Sequence, residues 1–221
     1  MSVNGLEQRS CNLRGMEERI FKLMYDRATP EQWATWLRAP LEHAASSADK
    51  ELVAELLKAG ANGSAGWRGC DGKTLLHAGA EGGDETIMTA LIRSGGSGDF
   101  NVGTIHRGRT PLHLAARGGK ATVAKALMLA GADVNILDKK NDGPLHLAIE
   151  NDHVGIAEYL LVGGADPLVR GSHGAYPIHL AAHRGQDGVL LCLVQQGVDL
   201  NCLDADGKTP LRIAAHEGHI S

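Results

Sequence analysis

The sequence predicts an all-α repeat solenoid, and three observations carry that prediction. One short phrase recurs at a fixed step. Thr110-Pro111-Leu112-His113, Gly143-Pro144-Leu145-His146, Tyr176-Pro177-Ile178-His179 and Thr209-Pro210-Leu211-Arg212 place their prolines 33 residues apart. A period of that size marks stacked supersecondary units rather than one closed core. Each phrase opens a short apolar stretch, and a second one follows before a glycine at 131, 164 or 197. Aromatic residues make up only 4% of the 221-residue chain, which fits a core of alanine and leucine.

Each element of the unit follows from its residues. Proline at the first helical position loses nothing, because its N–H would have no partner inside the helix. Thr110 and Thr209 stand where they can cap that helix. The Ala115-Ala116 pair lets a neighbouring helix approach closely, and Gly119 and Gly185 stop the short first helix. Val123, Ala124, Leu127 and Met128 then form the apolar face of a second helix, and Gly131-Ala132-Asp133-Val134-Asn135 closes the unit. In the unit after it, Asp152 takes the inter-helix glycine position, a place Asp tolerates better than most residues.

The pattern extends upstream with wider spacing. Thr74-Leu75-Leu76-His77 lies 36 residues before the phrase at 110, the excess fitting an insertion at Gly96-Ser97-Gly98. Ala39-Pro40-Leu41-Glu42-His43 is a fainter copy with its own second helix, Leu52–Leu57. These copies, with Gly-Ala-Asp-Val-Asn at 131–135 and Gly-Val-Asp-Leu-Asn at 197–201, resemble the ankyrin-repeat family over roughly residues 39 to 221. The resemblance implies L-shaped repeats, each a helix pair with a projecting β-hairpin finger, stacked into a curved array. It also implies that the phrase histidines at 77, 113, 146 and 179 hold the stack together, and that Asn135 and Asn201 brace the connectors. Glu42 and Arg212 replace the phrase histidine, and Asp166-Pro167-Leu168 breaks the Asp-Val-Asn ending.

The expected organisation is a flexible N-terminus over 1–15, a helical cap over 16–38 and an array over 39–221. The units fall at 39–66 (degenerate), 67–105, 106–138, 139–171, 172–204 and 205–221 (incomplete). In the cap, Met16, Ile20, Leu23 and Met24 share one helical face, and Thr29-Pro30-Glu31-Gln32 starts a helix that groups Trp33, Trp36 and Leu37 as core. The half unit at the far end suggests a longer natural chain.

Composition narrows the function. Net charge is −4, which predicts no general affinity for polyanions or membrane surfaces. Cys11, Cys70, Cys192 and Cys202 show no C-x-x-C spacing, pointing to a reducing compartment, cytoplasmic or nuclear. No apolar run approaches membrane-spanning length, and no secretory leader is evident. Eleven histidines invite a metal or catalytic reading, but no zinc-protease, nucleophile-elbow, Walker or dinucleotide motif is present. His183 and His216, one repeat apart, would stand about 10 Å from each other, the spacing of packed helices and too far for a shared metal without a third element. The reading is a non-catalytic protein, with no cofactor, no small-molecule substrate and no catalytic residues.

The resemblance locates binding on the finger tips and the concave inner-helix face. Register maps His106, Arg107, Arg109, Lys139, Lys140, Asp142 and His173 to the fingers. Arg117, Glu150, His183, Arg184 and His216 fall on the inner helices. Arg107, Arg109, Lys139 and Lys140 are expected to project from adjacent tips with Arg117 close by, a concentrated basic spot on an acidic protein. That spot points to a protein partner with an acidic segment rather than to nucleic acid, because it is small and lacks aromatics. The second expected class is a regulatory ankyrin segment of a larger enzyme, channel or signalling protein.

Overall fold

The computed structural model describes residues 36–61, 68–69, 71–95 and 100–219. Among them are eleven α-helices: α1 (Arg38–Ser46), α2 (Lys50–Lys58), α3 (Leu75–Gly82), α4 (Glu85–Arg93), α5 (Pro111–Arg117), α6 (Ala121–Leu129), α7 (Pro144–Glu150), α8 (Val154–Val162), α9 (Pro177–Arg184), α10 (Asp187–Gln195) and α11 (Pro210–Glu217). The odd-numbered helices form an inner row in which each packs on the next, and the even-numbered helices form an outer row built the same way. Each inner helix from α1 to α9 also packs on the outer helix that follows it, so the core is a continuous slab between two rows. Segments 1–15 and most of the expected cap, with Trp33, Cys11, Cys70 and Gly96-Ser97-Gly98, lie outside the described residues. Of the cap residues described, Leu37 is buried, whereas Trp36, expected in the core, is 44% exposed.

The inner row is short-stepped because its contact residues are small. Ala115, Ala116, Ala148, Ala181 and Ala182 are all buried, interleaved with Leu112, Leu145 and Ile178. Proline opens α5, α7, α9 and α11, and the Thr110 and Thr209 hydroxyls accept the N–H of residue three of their helices, at 3.5 and 3.3 Å. Asp49 and Asp84 cap α2 and α4 through their carboxylates. Later outer helices start differently. His153 Nε2 meets the Arg117 carbonyl at 3.1 Å, Gln186 Nε2 donates to the Ile149 carbonyl at 2.8 Å, and His219 Nε2 meets the His183 carbonyl at 3.1 Å. These residues are 33 apart: His153 and Gln186 stand at the starts of α8 and α10 and His219 just after α11, and each is tied to a carbonyl near the end of the inner helix one repeat back.

No strand is present among the described residues, and the expected β-hairpin fingers are tight turns instead. An N–H at one end reaches a carbonyl four residues on in Gly69→Lys73 (2.8 Å), Asp138→Asp142 (2.9 Å), Gly171→Ala175 (2.9 Å) and Asp204→Lys208 (3.1 Å). The turn between Thr104 and Arg109 is one residue longer. Neighbouring tips share single backbone bonds, Ile105→Asp71 and Lys139→Arg107, each 2.8 Å, too few to make a ladder. The connectors behave as their side chains dictate. Asn135 accepts the Asp166 N–H at 2.8 Å and donates to the Gly164 carbonyl at 3.1 Å. Leu168 stands in the same register and provides no such brace, yet its turn survives because Asp166 accepts the Leu168 N–H at 2.8 Å. Asp152 adopts a φ of 60°, the left-handed conformation its position calls for.

Candidate functional site

Four phrase histidines are buried in the seam between inner helices and fingers. The Thr74 N–H donates to His77 Nδ1 at 3.0 Å, and His77 Nε2 donates to the Arg109 carbonyl of the next finger at 2.9 Å. His113 repeats the pattern with the Thr110 N–H (3.1 Å) and the Asp142 carbonyl (3.0 Å). His146 takes the Gly143 N–H at 3.2 Å and donates to Val169, and His179 donates to Cys202 and Lys208. Tyr176 replaces threonine ahead of His179 and stacks on its ring, centroids 5.7 Å apart. Burial outweighs the carbonyl bonds and pushes His77 and His113 down to about 4; burial lowers His146 as well. All three are therefore neutral joints at neutral pH, unsuited to proton transfer with a ligand.

The chemistry that faces solvent is gathered in a cleft of about 480 Å³ on the inner-helix face, spanning α5, α7 and α9 and the fingers above them. Eight of the twelve expected site residues line it. Arg107 and Lys140 reach it from adjacent tips, Arg117 and Glu150 from the ends of α5 and α7, and His183 and Arg184 from the end of α9. Arg109 and Asp142 also line it, but they do not project as expected. Arg109 is 5% exposed, and its Nε donates to Asp138 at 3.1 Å. Asp142 is buried and accepts the Ser172 N–H of the next finger at 2.7 Å. The reason is geometric: residues at the base of a finger are covered by the next finger, whereas residues at its tip are not.

Electrostatics follow the same division. Burial works against the Asp138 carboxylate, but the Lys140 N–H, the Arg109 guanidinium and the Asp142 N–H together hold it below the usual range. Burial raises Glu150, with nearby Asp142 adding to it and Arg109, Arg184 and Lys140 opposing it. One Arg109 nitrogen, Nη1, is buried with no partner among the described residues.

The remaining expected site residues lie outside this cleft. His106 is exposed and faces Asp71 of the preceding tip at 3.8 Å. Lys139 is exposed, but its ammonium folds back onto the Ile105 carbonyl rather than into the cleft. The His173 side chain lies outside the described residues. His216 lines a neighbouring cleft of about 530 Å³ between α9 and α11, beside Leu180, His183 and Ile213. There Glu217 meets His216 at 3.0 Å and His183 at 3.9 Å. No group of three or more His, Cys, Asp or Glu side chains among the described residues has the geometry to hold a metal ion.

The register reading missed Leu147, Leu180 and Ile213 as cleft residues. Each directly follows the phrase's fourth residue, 33 apart, so the signal was available.

A family model described as ankyrin repeats (three copies) matches residues 41–138, 97–171 and 145–221. The chain is an ankyrin-repeat protein. No curated protein is significantly similar to it. Ankyrin arrays are in general protein–protein interaction modules and typically non-catalytic, and the histidine joints of this ankyrin array have the structural role the resemblance implied. No helix among the described residues of the array is long and apolar enough to cross a membrane.

Proposed function

We propose that this ankyrin array is a non-catalytic interaction module that binds a protein partner on its inner-helix and finger face, with an acidic segment of the partner over the cleft at α5, α7 and α9. The observation that carries the reading is the convergence of Arg107, Arg117, Lys140 and Arg184, all exposed, on one cleft of a chain whose net charge is −4. Local charge opposite to the global charge steers a complementary partner to one place. Arginine forks also suit carboxylates better than isolated ammonium groups do.

The test is affinity capture with the full chain, followed by hydrogen-exchange mapping of the purified complex. The triple variant Arg107→Glu/Arg117→Glu/Lys140→Glu is expected to weaken capture about tenfold or more, with the wild-type interaction weakening as salt rises. Protection on binding is expected at 106–117, 140–150 and 177–184. Protection confined to the outer helices, or capture indifferent to the triple reversal, would reject the proposal.

A further inference from the structure

The two clefts adjoin on the inner-helix face. The first, over α5, α7 and α9, and the second, between α9 and α11, share Leu180 and His183 as lining residues. Their charges differ. Five cationic side chains and two carboxylates line the first, although Arg109 is already engaged by Asp138 and Arg184 pairs with Asp152 at 3.5 Å. The second holds two cations, Lys208 and Arg212, against three carboxylates, Asp204, Asp206 and Glu217. An extended segment that is acidic throughout would fit the first cleft and be repelled over part of the second. What the second offers instead is aliphatic: Leu180 and Ile213, both half-exposed.

We infer that the partner segment is bipartite: carboxylates over Arg107, Arg117 and Lys140, then one apolar side chain seated between Leu180 and Ile213. This rests on the proposed function and adds the order and spacing of the motif. Successive inner helices pack about 10 Å apart, and an extended chain covers about 3.3–3.6 Å per residue. The cations stand in the α5 and α7 units and the anchor between α9 and α11, one and a half to two and a half spacings on, so carboxylates and anchor are about four to eight residues apart.

The test uses the full chain and fluorescein-labelled synthetic peptides in anisotropy titrations. The probe is a run of three glutamates, three glycines and a leucine, made in both chain directions. Controls carry serine for leucine, a ten-glycine spacer, or serine for every glutamate. The leucine peptide in one direction is expected to bind about tenfold more tightly than its serine control, in line with burial of one large aliphatic side chain. That gain is expected to vanish with the long spacer and with Ile213→Ser, while the serine control binds both proteins alike. Arg117→Glu is expected to weaken binding of every acidic peptide severalfold. The leucine-to-serine comparison involves no protein variant, so misfolding cannot mimic it. If acidic peptides bind through Arg117 but leucine adds nothing in either direction, the bipartite track is wrong and the acidic cleft stands. If no acidic peptide binds in an Arg117-dependent way, both readings fall.

Discussion

At the scale of single residues, the buried histidines make the array acid-sensitive. An unfolded chain protonates His77 and His113 near 6.5, whereas the folded chain resists protonation down to about 4. Between those values the unfolded state binds more protons, so stability rises with pH. It is full above 6.5, falls as pH drops, and levels off below about 4. The loss is on the order of 3 kcal/mol per histidine. Urea midpoints at pH 7.5, 6, 5 and 4 are expected to fall in that window, and a His77→Leu/His113→Leu variant is expected to show a shallower slope; a flat wild-type profile would contradict the neutral-joint reading. Arg109 provides a second residue-scale test. Arg109→Met leaves Asp138 buried without its cation, at a cost of about 3 kcal/mol in urea denaturation. Adding Asp138→Asn is expected to recover much of it, because Asn keeps an acceptor for the Lys140 and Asp142 N–H groups that Asp138 now holds at 2.7 and 3.1 Å.

At the scale of elements, two glycines with the same backbone demand separate conformation from contact. Gly119 has a φ of 70° and lies under the His153 ring, where an added Cβ would meet Cε1 at 2.6 Å. Gly131 has a φ of 98° and open space around its Cβ position. Gly131→Ala is expected to cost about 1 kcal/mol, the left-handed penalty alone. Gly119→Ala adds displacement of His153 from the Arg117 carbonyl and is expected to cost at least 1 kcal/mol more, read as the difference between the two urea midpoints. Equal costs would mean that the His153 contact contributes nothing. Most of this level was legible in the sequence. Proline, threonine caps and helix-ending glycines act within a few residues of themselves, so α5, α7, α9 and α11 could be placed from local chemistry. The finger residues were harder. Register assigns Arg107 and Arg109 alike to a tip, but only contact with the following finger distinguishes the exposed one from the one buried against Asp138. The aliphatic lining of the second cleft was not named either: Leu180 and Ile213 lie on helices among buried neighbours, and only the folded array shows them half-buried beside a cleft.

At the scale of the molecule, stability is a sum of nearest-neighbour joints rather than one cooperative core. Inner helix α7 packs on α5, α8 and α9, whereas α11 packs chiefly on α9 and buries only Pro210. Local opening free energy follows such support. Amides of 144–162 are therefore expected to exchange slowest and those of 210–217 at least tenfold faster in native-state hydrogen exchange. Uniform protection along the array would show coupling beyond neighbours.

The histidine seam has a further consequence. His77, His113 and His179 find the next finger at main-chain oxygens, those of Arg109, Asp142 and Lys208. Every amino acid presents that oxygen, so the joint is blind to what the tips display. Substitutions at 107, 140 or 206 can rewrite what the surface greets without disturbing the histidine joint by which one unit grips the next. The lineage of such a chain is then free to change its acquaintances while keeping its spine.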